Sequence, residues 1–396
     1  MAGPVAGSRL RVRIAKLLWR GRGLARLDSG QVVMVEPGVL PGEDVLVRIV
    51  KATKDYLVGV PEEISTPSLL RRPHPCAHAH LCGGSRFGMV SPADGLKLKT
   101  EILRDALTRA LPRDVGQDVF SRLKVVPSPQ GWRYRWRGQI HVRDGMAHAM
   151  EGASNDLVAL SDCHLLATPL AQAMPDLAAS LPDGRFTIAA SPVTGQAVHE
   201  HSQAELEFYY PDFDLRCTLP PGVFFQANQG LNQVLVREVV GLAQGLGPVA
   251  DLFSGAGNFS LPLACRGIPV LAVEGSCRAT QAGQHTAQRL GLGTARFVCA
   301  DLARPAAWSV VRDAAPRVIL IDPPRTGAKG IGQMLASLDG VQRLVWVSCD
   351  VVNTLRDARP VLDAGWQISS MQLFDMFPGT WHMEVLMVLE RPVQQA

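Results

Sequence analysis

Three stretches toward the C-terminal end carry side chains suited to covalent chemistry. Residues 345–350, Val-Trp-Val-Ser-Cys-Asp, form an apolar run that stops at Cys349. Residues 318–325, Val-Ile-Leu-Ile-Asp-Pro-Pro-Arg, stop in the same way at Asp322, and Trp381-His382-Met383-Glu384 leads into another apolar run. A thiolate adds readily to an electron-poor ring carbon, and a positioned carboxylate can remove the proton such an adduct must later lose. Cys349 is thus a candidate nucleophile and Glu384 a candidate base. A helix start near Val352 is expected to lower the pKa of Cys349 through its backbone amides. Taken singly, the two residues have plainer readings, a buried core thiol and an edge-strand charge.

Upstream, Asp251-Leu252-Phe253-Ser254-Gly255-Ala256-Gly257-Asn258 follows a strand-like run and opens a helix. Its glycines allow a tight turn with close approach of a ligand to the backbone. Glu274 ends the next strand, where a carboxylate can accept hydrogen bonds from both ribose hydroxyls of a nucleoside. Asp301, just past the third strand, can reach an adenine edge. These three acids suit NAD and S-adenosylmethionine equally. Asp322-Pro323-Pro324 separates the two, because a rigid acidic loop at the carboxyl edge of the sheet marks methyltransferases that act on nucleobases. Any one of these acids alone reads as a cap or turn residue; four at successive strand ends do not.

The residue after the proline pair narrows the target. Amino-group methyltransferases usually carry an aromatic there to stack on a flipped base, whereas here it is Arg325, and no cysteine adjoins the prolines as in cytosine-C5 enzymes. Uracil C5 is a poor nucleophile, and thiolate addition at C6 makes it enolate-like. Cys349 and Glu384 are the residue types which that route requires.

The surrounding elements must hold these ends together. From 249 onward strand candidates at 249–253, 270–273, 295–299, 318–321, 343–347 and 385–389 alternate with helical stretches, the pattern of a doubly wound, Rossmann-like α/β domain with a parallel sheet. At the other end, Arg-Leu-Arg-Val-Arg-Ile at 9–14 alternates basic and apolar residues, and short strands with glycine turns follow to about residue 60. This indicates a small OB-like β-barrel. The stretch 61–75, with four prolines, reads as a linker. Ser91-Pro92-Ala93-Asp94 is a helix start whose helix carries Leu98, Ile102, Ala106 and Ala110 on one face. The expected division is a barrel at 1–62, a β-rich middle region at 63–220 with one helix (about 92–111) packing on the catalytic domain, and a catalytic domain at 221–396.

With 396 residues, 47% of them hydrophobic, the chain can bury cores for two or three domains. Its net charge of +4 is mild, yet Arg9, Arg11, Arg13, Lys16, Arg20 and Arg22 crowd the start and Arg133, Arg135 and Arg137 cluster later. Such patches suit an anionic partner. No run is long and apolar enough to span a bilayer, and eight unevenly spaced cysteines do not resemble a secreted disulfide framework. A cytoplasmic protein is expected, and a monomer.

With these residues in place, the chain resembles the RNA uracil-C5 methyltransferases, closest to the 23S rRNA (uracil-5-)-methyltransferase branch. The barrel is similar to a TRAM domain. Residues 224–228 match F-x-Q-x-N; 251–259 match D-L-F-x-G-x-G-N-F; 322–327 match D-P-P-R-x-G; Ser348-Cys349 with Arg356-Asp357 and Asp375–378 with His382-x-Glu384 match the nucleophile and base motifs. The resemblance implies S-adenosylmethionine contacts from Gln226, Phe253, Asn258, Glu274, Asp301 and Asp322, with Cys349 as nucleophile and Glu384 as base. RNA, 23S rRNA in particular, is the implied partner. A tRNA uridine methyltransferase, or a non-catalytic RNA-binding assembly factor, are the alternatives.

The resemblance also implies a metal site. Cys76, Cys82 and Cys163 match three ligands of a 4Fe-4S cluster, but Ser85 replaces the fourth cysteine. A serine oxygen is a harder and weaker iron ligand. A Ser-ligated cluster, a zinc site recruiting His78 or His80, and an empty relic are the three outcomes.

Overall fold

A computed structural model describes residues 4–152, 154 and 156–392, and the chain divides into two compact units. One comprises the residues up to Gln117 with Phe377–His382; the other comprises Asp118–Met376 and the residues from Met383 onward.

The first unit is built on a six-stranded sheet with spatial order Arg9–Arg13, Asp44–Ala52, Tyr56–Thr66, Val32–Val35, Gly23–Arg26 and Lys16–Leu17. Alternation turns Val12, Val33, Val35, Val45, Val47 and Ile49 into one core, while Arg9 and Arg13 pair outside it with Glu62 and Asp44. The stretch 61–75 is more ordered than a linker. Its start continues the strand Tyr56–Thr66, with Pro61 opposite Val47 at a bulge that tolerates the missing donor. Beyond it, Arg71 clasps the fully buried Glu43 at 2.6 and 2.9 Å, and the Leu40 and Ser68 amides donate to the same carboxylate. Such satisfaction is what makes a buried carboxylate tolerable.

The helix Pro92–Ala110 starts where its cap predicts, the Ser91 hydroxyl accepting from the Asp94 amide at 3.1 Å. Leu98, Ile102 and Ala106 are buried as expected, Leu103 and Leu107 join them, and Ala110 is exposed. Expected against the catalytic domain, this helix groups with the barrel in the first unit. Its Asp105 pairs with Lys16, and its buried Lys99 donates to the Phe377 carbonyl at 2.9 Å.

The second unit holds an eight-stranded sheet, ordered Ala295–Cys299, Val270–Glu274, Val249–Leu252, Val318–Ile321, Arg343–Ser348, Glu384–Glu390, Gln367–Phe374 and Lys124–Val126. The first five strands are parallel. The expectation of a parallel sheet fails at Glu384–Glu390, which runs antiparallel to both neighbours. Only a short connection separates it from Gln367–Phe374, and a parallel return needs a crossover of a dozen residues or more.

The second unit also holds a five-stranded antiparallel sheet covered by the helix Thr168–Ala179. The expectation of one helix in the middle region is corrected, since Arg113–Ser121 is helical too. Pro175 obscures the second case, although Leu170, Ala171, Met174 and Ala178 are periodic and buried.

Candidate active site

The glycine turn follows from the backbone. Phe253 has φ +63°, Gly255 +56° and Gly257 +95°, so the chain folds back sharply after Leu252. A Cβ on Gly257 would meet Leu261 and Phe297 at 2.9 Å, whereas one on Gly255 would meet nothing within 4 Å. Gly257 is therefore needed for packing, and Gly255 faces space that a ligand can fill. Glu274 closes the turn, accepting from the Gly255 amide at 3.0 Å and the Ser276 amide at 2.7 Å. With the Gly255 amide engaged by a carboxylate, the turn is a poor cradle for a dinucleotide pyrophosphate.

Acids line this edge of the sheet. Asp251 is fully buried; one oxygen accepts from the Ser260 hydroxyl at 2.5 Å and the other has no hydrogen-bond partner. Burial pushes its pKa up to about 7. Asp322 is raised by burial and then by the charge of Asp251, against a 3.4 Å hydrogen bond from Gln226. Burial and then Asp322 raise Glu384 well above the carboxylate range, opposed by Arg325. So many confined acids favour a cationic ligand. S-adenosylmethionine carries a sulfonium and an ammonium; NAD brings a pyrophosphate. The residues fit the former.

Cys349 follows the strand Arg343–Ser348 directly. Ser348 pairs with Val385 in an antiparallel register, so one further step sets Cys349 opposite Glu384. Glu384 is 3% exposed on an interior strand, which removes the edge-strand reading. The helix Val351–Asp363 starts after Asp350, whose carboxylate caps it by accepting from Asn353 N at 3.0 Å. The expected drop in the pKa of Cys349 is overturned: burial, then Glu384, Asp322 and Asp350 push it up to about 12, with Arg325 opposing. The helix end is already capped by a negative charge.

The other expected residues fall into two groups. Gln226 is buried and reaches Asp322. Asn258 forms a reciprocal amide pair with the buried Asn232 at 2.8 and 3.1 Å, and accepts from Tyr210. It thereby holds the glycine turn to the helix Gln229–Ala243. Asp301 is exposed, with one oxygen accepting from the Ala303 amide.

Sequence reasoning missed the clamp between the Asp-Pro-Pro loop and the helix Val351–Asp363. Asp357 is 5% exposed and accepts from the Ala328 amide at 2.8 Å, and Asn353 donates to the Arg325 carbonyl at 3.1 Å. The Arg356-Asp357 motif was the available signal.

The family models that match are the tRNA (Uracil-5-)-methyltransferase model at residues 310–392 and the TRAM domain at 6–61. A Pseudomonas aeruginosa (strain UCBPP-PA14) protein, 23S rRNA (uracil(1939)-C(5))-methyltransferase RlmD, is 30% identical over 97% of this chain and 94% of its own length. The chain belongs to the RNA uracil-C5 methyltransferase family. A second family member with the same name, from Acidithiobacillus ferrooxidans, is 30% identical over 96% of this chain and 97% of its own. The family fold is also that of the Pyrococcus abyssi tRNA (uracil-54, C5)-methyltransferase in complex with S-adenosyl-L-homocysteine. That match has a TM-score of 0.72 and 19% identity, covering 96% of this chain and 100% of the other. S-adenosylmethionine-dependent methylation of uridine C5 in RNA is the reaction class of this family.

The metal reading fares differently. Cys76 and Cys82 lie in the first unit and Cys163 in the second. Ser85, at the position of the fourth ligand, has its hydroxyl 3.2 Å from His74 Nε2, and His80 Nδ1 is 3.0 Å from the Ala77 carbonyl. Among the described residues no group of three or more His, Cys, Asp or Glu is placed to hold a metal ion. Three thiols and an engaged hydroxyl do not match a four-thiolate cluster, and no step is assigned to one.

Proposed function

We propose that this chain methylates uridine C5 in large-subunit rRNA, with Cys349 as nucleophile and Glu384 as base. The observation that supports this reading best is the antiparallel register that sets Cys349 opposite the buried Glu384, next to Asp322. S-adenosylmethionine, held by Gln226, Phe253, Asn258, Glu274, Asp301 and Asp322, supplies an electrophilic methyl group. Cys349, once its thiol proton has passed to solvent, bonds through Sγ to C6 of the flipped uracil, which breaks the C5–C6 π bond and gives C5 the electron pair to take that methyl, the sulfonium leaving as a neutral thioether. Glu384 then removes the C5 proton, and loss of Cys349 restores the C5–C6 double bond.

The resting charges suggest an order of binding. Burial and neighbouring acids raise the pKa of both Cys349 and Glu384, so a cation bound at Asp322 favours the ionised form of each. Cofactor binding before RNA follows. Arg325, the residue whose charge opposes both shifts, is proposed to stabilise the thiolate as it forms.

Affinity for RNA would come largely from phosphate contacts by the basic patches. A cytoplasmic location goes with this reading. A tRNA substrate is the second reading. The barrel does not exclude it, because the Pyrococcus abyssi tRNA enzyme aligns over 96% of this chain.

The test is to incubate protein and S-adenosylmethionine with 5-fluorouridine-substituted rRNA and tRNA transcripts. Fluorine cannot leave as a proton, so the adduct is trapped. A denaturation-resistant protein–RNA band is expected with rRNA and is lost in Cys349→Ala. A band on tRNA alone promotes the second reading, and wild type transferring no methyl to any uridine substrate would sink the enzyme reading.

A further inference from the structure

Two cysteines outside the reaction centre meet beside the adenosine end of the pocket. Cys277 is the first residue of the helix Cys277–Arg289, and Cys299 the last of the strand Ala295–Cys299 at the sheet's outer edge. They are 22 residues apart in sequence, joined as a disulfide, and exposed.

Their neighbours give the pair its meaning. Cys277 lies three positions after Glu274, the proposed ribose ligand, and Cys299 two before Asp301, the proposed adenine ligand. Glu274 and Cys299 are register partners, the Ala300 amide donates to the Glu274 carbonyl at 2.9 Å, and Cys299 Sγ is 3.7 Å from the Gly275 carbonyl oxygen. The bridge therefore ties the turn that presents one cofactor acid to the strand end that presents the other.

We infer that Cys277 and Cys299 form a reversible thiol–disulfide site whose oxidation staples the adenosine end of the pocket and tightens S-adenosylmethionine binding. This rests on the cofactor reading above. With the bridge closed, Glu274 is already turned into the glycine turn, holding Gly255 and Ser276. Without it, an exposed turn and the end of an edge strand must be ordered when the ligand binds, and that ordering weakens affinity. Disulfides of cytosolic proteins are mostly transient and redox-sensing, which suits an exposed pair next to a ligand.

The exchange balances with a small-molecule disulfide such as oxidised glutathione as oxidant. Cys277 gives its proton to solvent and attacks one sulfur of that disulfide, releasing one thiolate. Cys299 gives its proton to solvent and attacks the Cys277 sulfur, releasing the second. Two protein thiols are oxidised to one disulfide while one small disulfide is reduced to two thiols. By linkage, bound cofactor protects the bridge from reduction by the same factor.

The experiment uses the full chain equilibrated in glutathione buffers from reducing to oxidising. Alkylation followed by mass spectrometry reads the bridge, and titration calorimetry reads S-adenosylmethionine affinity. The expected result is a Cys277–Cys299 disulfide under oxidising conditions and binding about fivefold tighter than in the reduced protein, at the lower end of ordinary coupling. Cys277→Ser and Cys299→Ser should bind like the reduced wild type in every buffer, which excludes oxidation of other cysteines as the cause. Thiols that stay reduced at the oxidising end, or a bridge that forms with affinity unchanged or weakened, overturns the inference. Absence of binding in either state overturns the cofactor reading along with it, a result distinct from binding that ignores redox state.

Discussion

Asp251 shows how a single carboxyl can set the behaviour of the site. It sits fully buried at the end of a strand with one oxygen unmatched, and its pKa is raised to about 7. A carboxyl raised in the folded state contributes stability that is fully present below the ordinary range near 4 and lost as pH rises through about 7. Keeping it ionised above that range costs on the order of 4 kcal/mol. The melting temperature of the free protein is expected to fall between about pH 4 and 7, by less in Asp251→Asn. A saturating cationic cofactor should flatten the wild-type profile. A profile identical in the two proteins would show that other groups dominate. Glu384→Gln addresses the chemistry instead: with proton removal blocked, a Cys349-linked adduct should accumulate on ordinary uridine RNA, visible as a slow band in a denaturing gel.

At the scale of elements, the proposed reaction requires the loop after Val318–Ile321 to keep its place beside the helix Val351–Asp363. Gly327 makes that possible. Its φ is +75°, and a Cβ there would meet the Asp357 carboxylate oxygen at 2.4 Å. Asp357 cannot yield easily, because it holds the Ala328 amide and Arg356. Gly327→Ala should destabilise the fold by roughly 1–3 kcal/mol and lower kcat more than it weakens S-adenosylmethionine binding. Equal losses in both, measured by methyl-transfer kinetics and calorimetry, would mean that the clamp serves the cofactor pocket instead.

For the whole molecule, the division into units crosses the chain order. Phe377–His382, immediately before Glu384, belongs to the first unit, where the Phe377 carbonyl accepts from buried Lys99 and the Gly379 carbonyl from the Phe87 amide. Residues 1–117 expressed alone would lack both acceptors, leaving a buried ammonium without this carbonyl. That fragment should be much less stable than the same unit in the full chain; circular dichroism showing an equally stable, cooperative fold would refute this. Basic residues of the intact protein should also make RNA affinity fall steeply with salt.

The sequence by itself determined the kinds of elements and the chemistry at their ends. Parallel strands at the start of the catalytic sheet, the glycine turn, the acid at each strand end and the capped helix at Ser91 are local patterns, set by side-chain periodicity and backbone freedom. Tertiary structure alone decided what depends on neighbours distant in sequence. The antiparallel seating of Glu384–Glu390 made Glu384 an interior acid whose pKa burial raises, and burial among acids reversed the expected pKa of Cys349. The meeting of Cys277 with Cys299, the Asp357 clamp and the anchoring of Arg71 on Glu43 likewise arise from packing. Local patterns fix which face a residue takes; the dielectric and charges around it are set only when separate segments pack together.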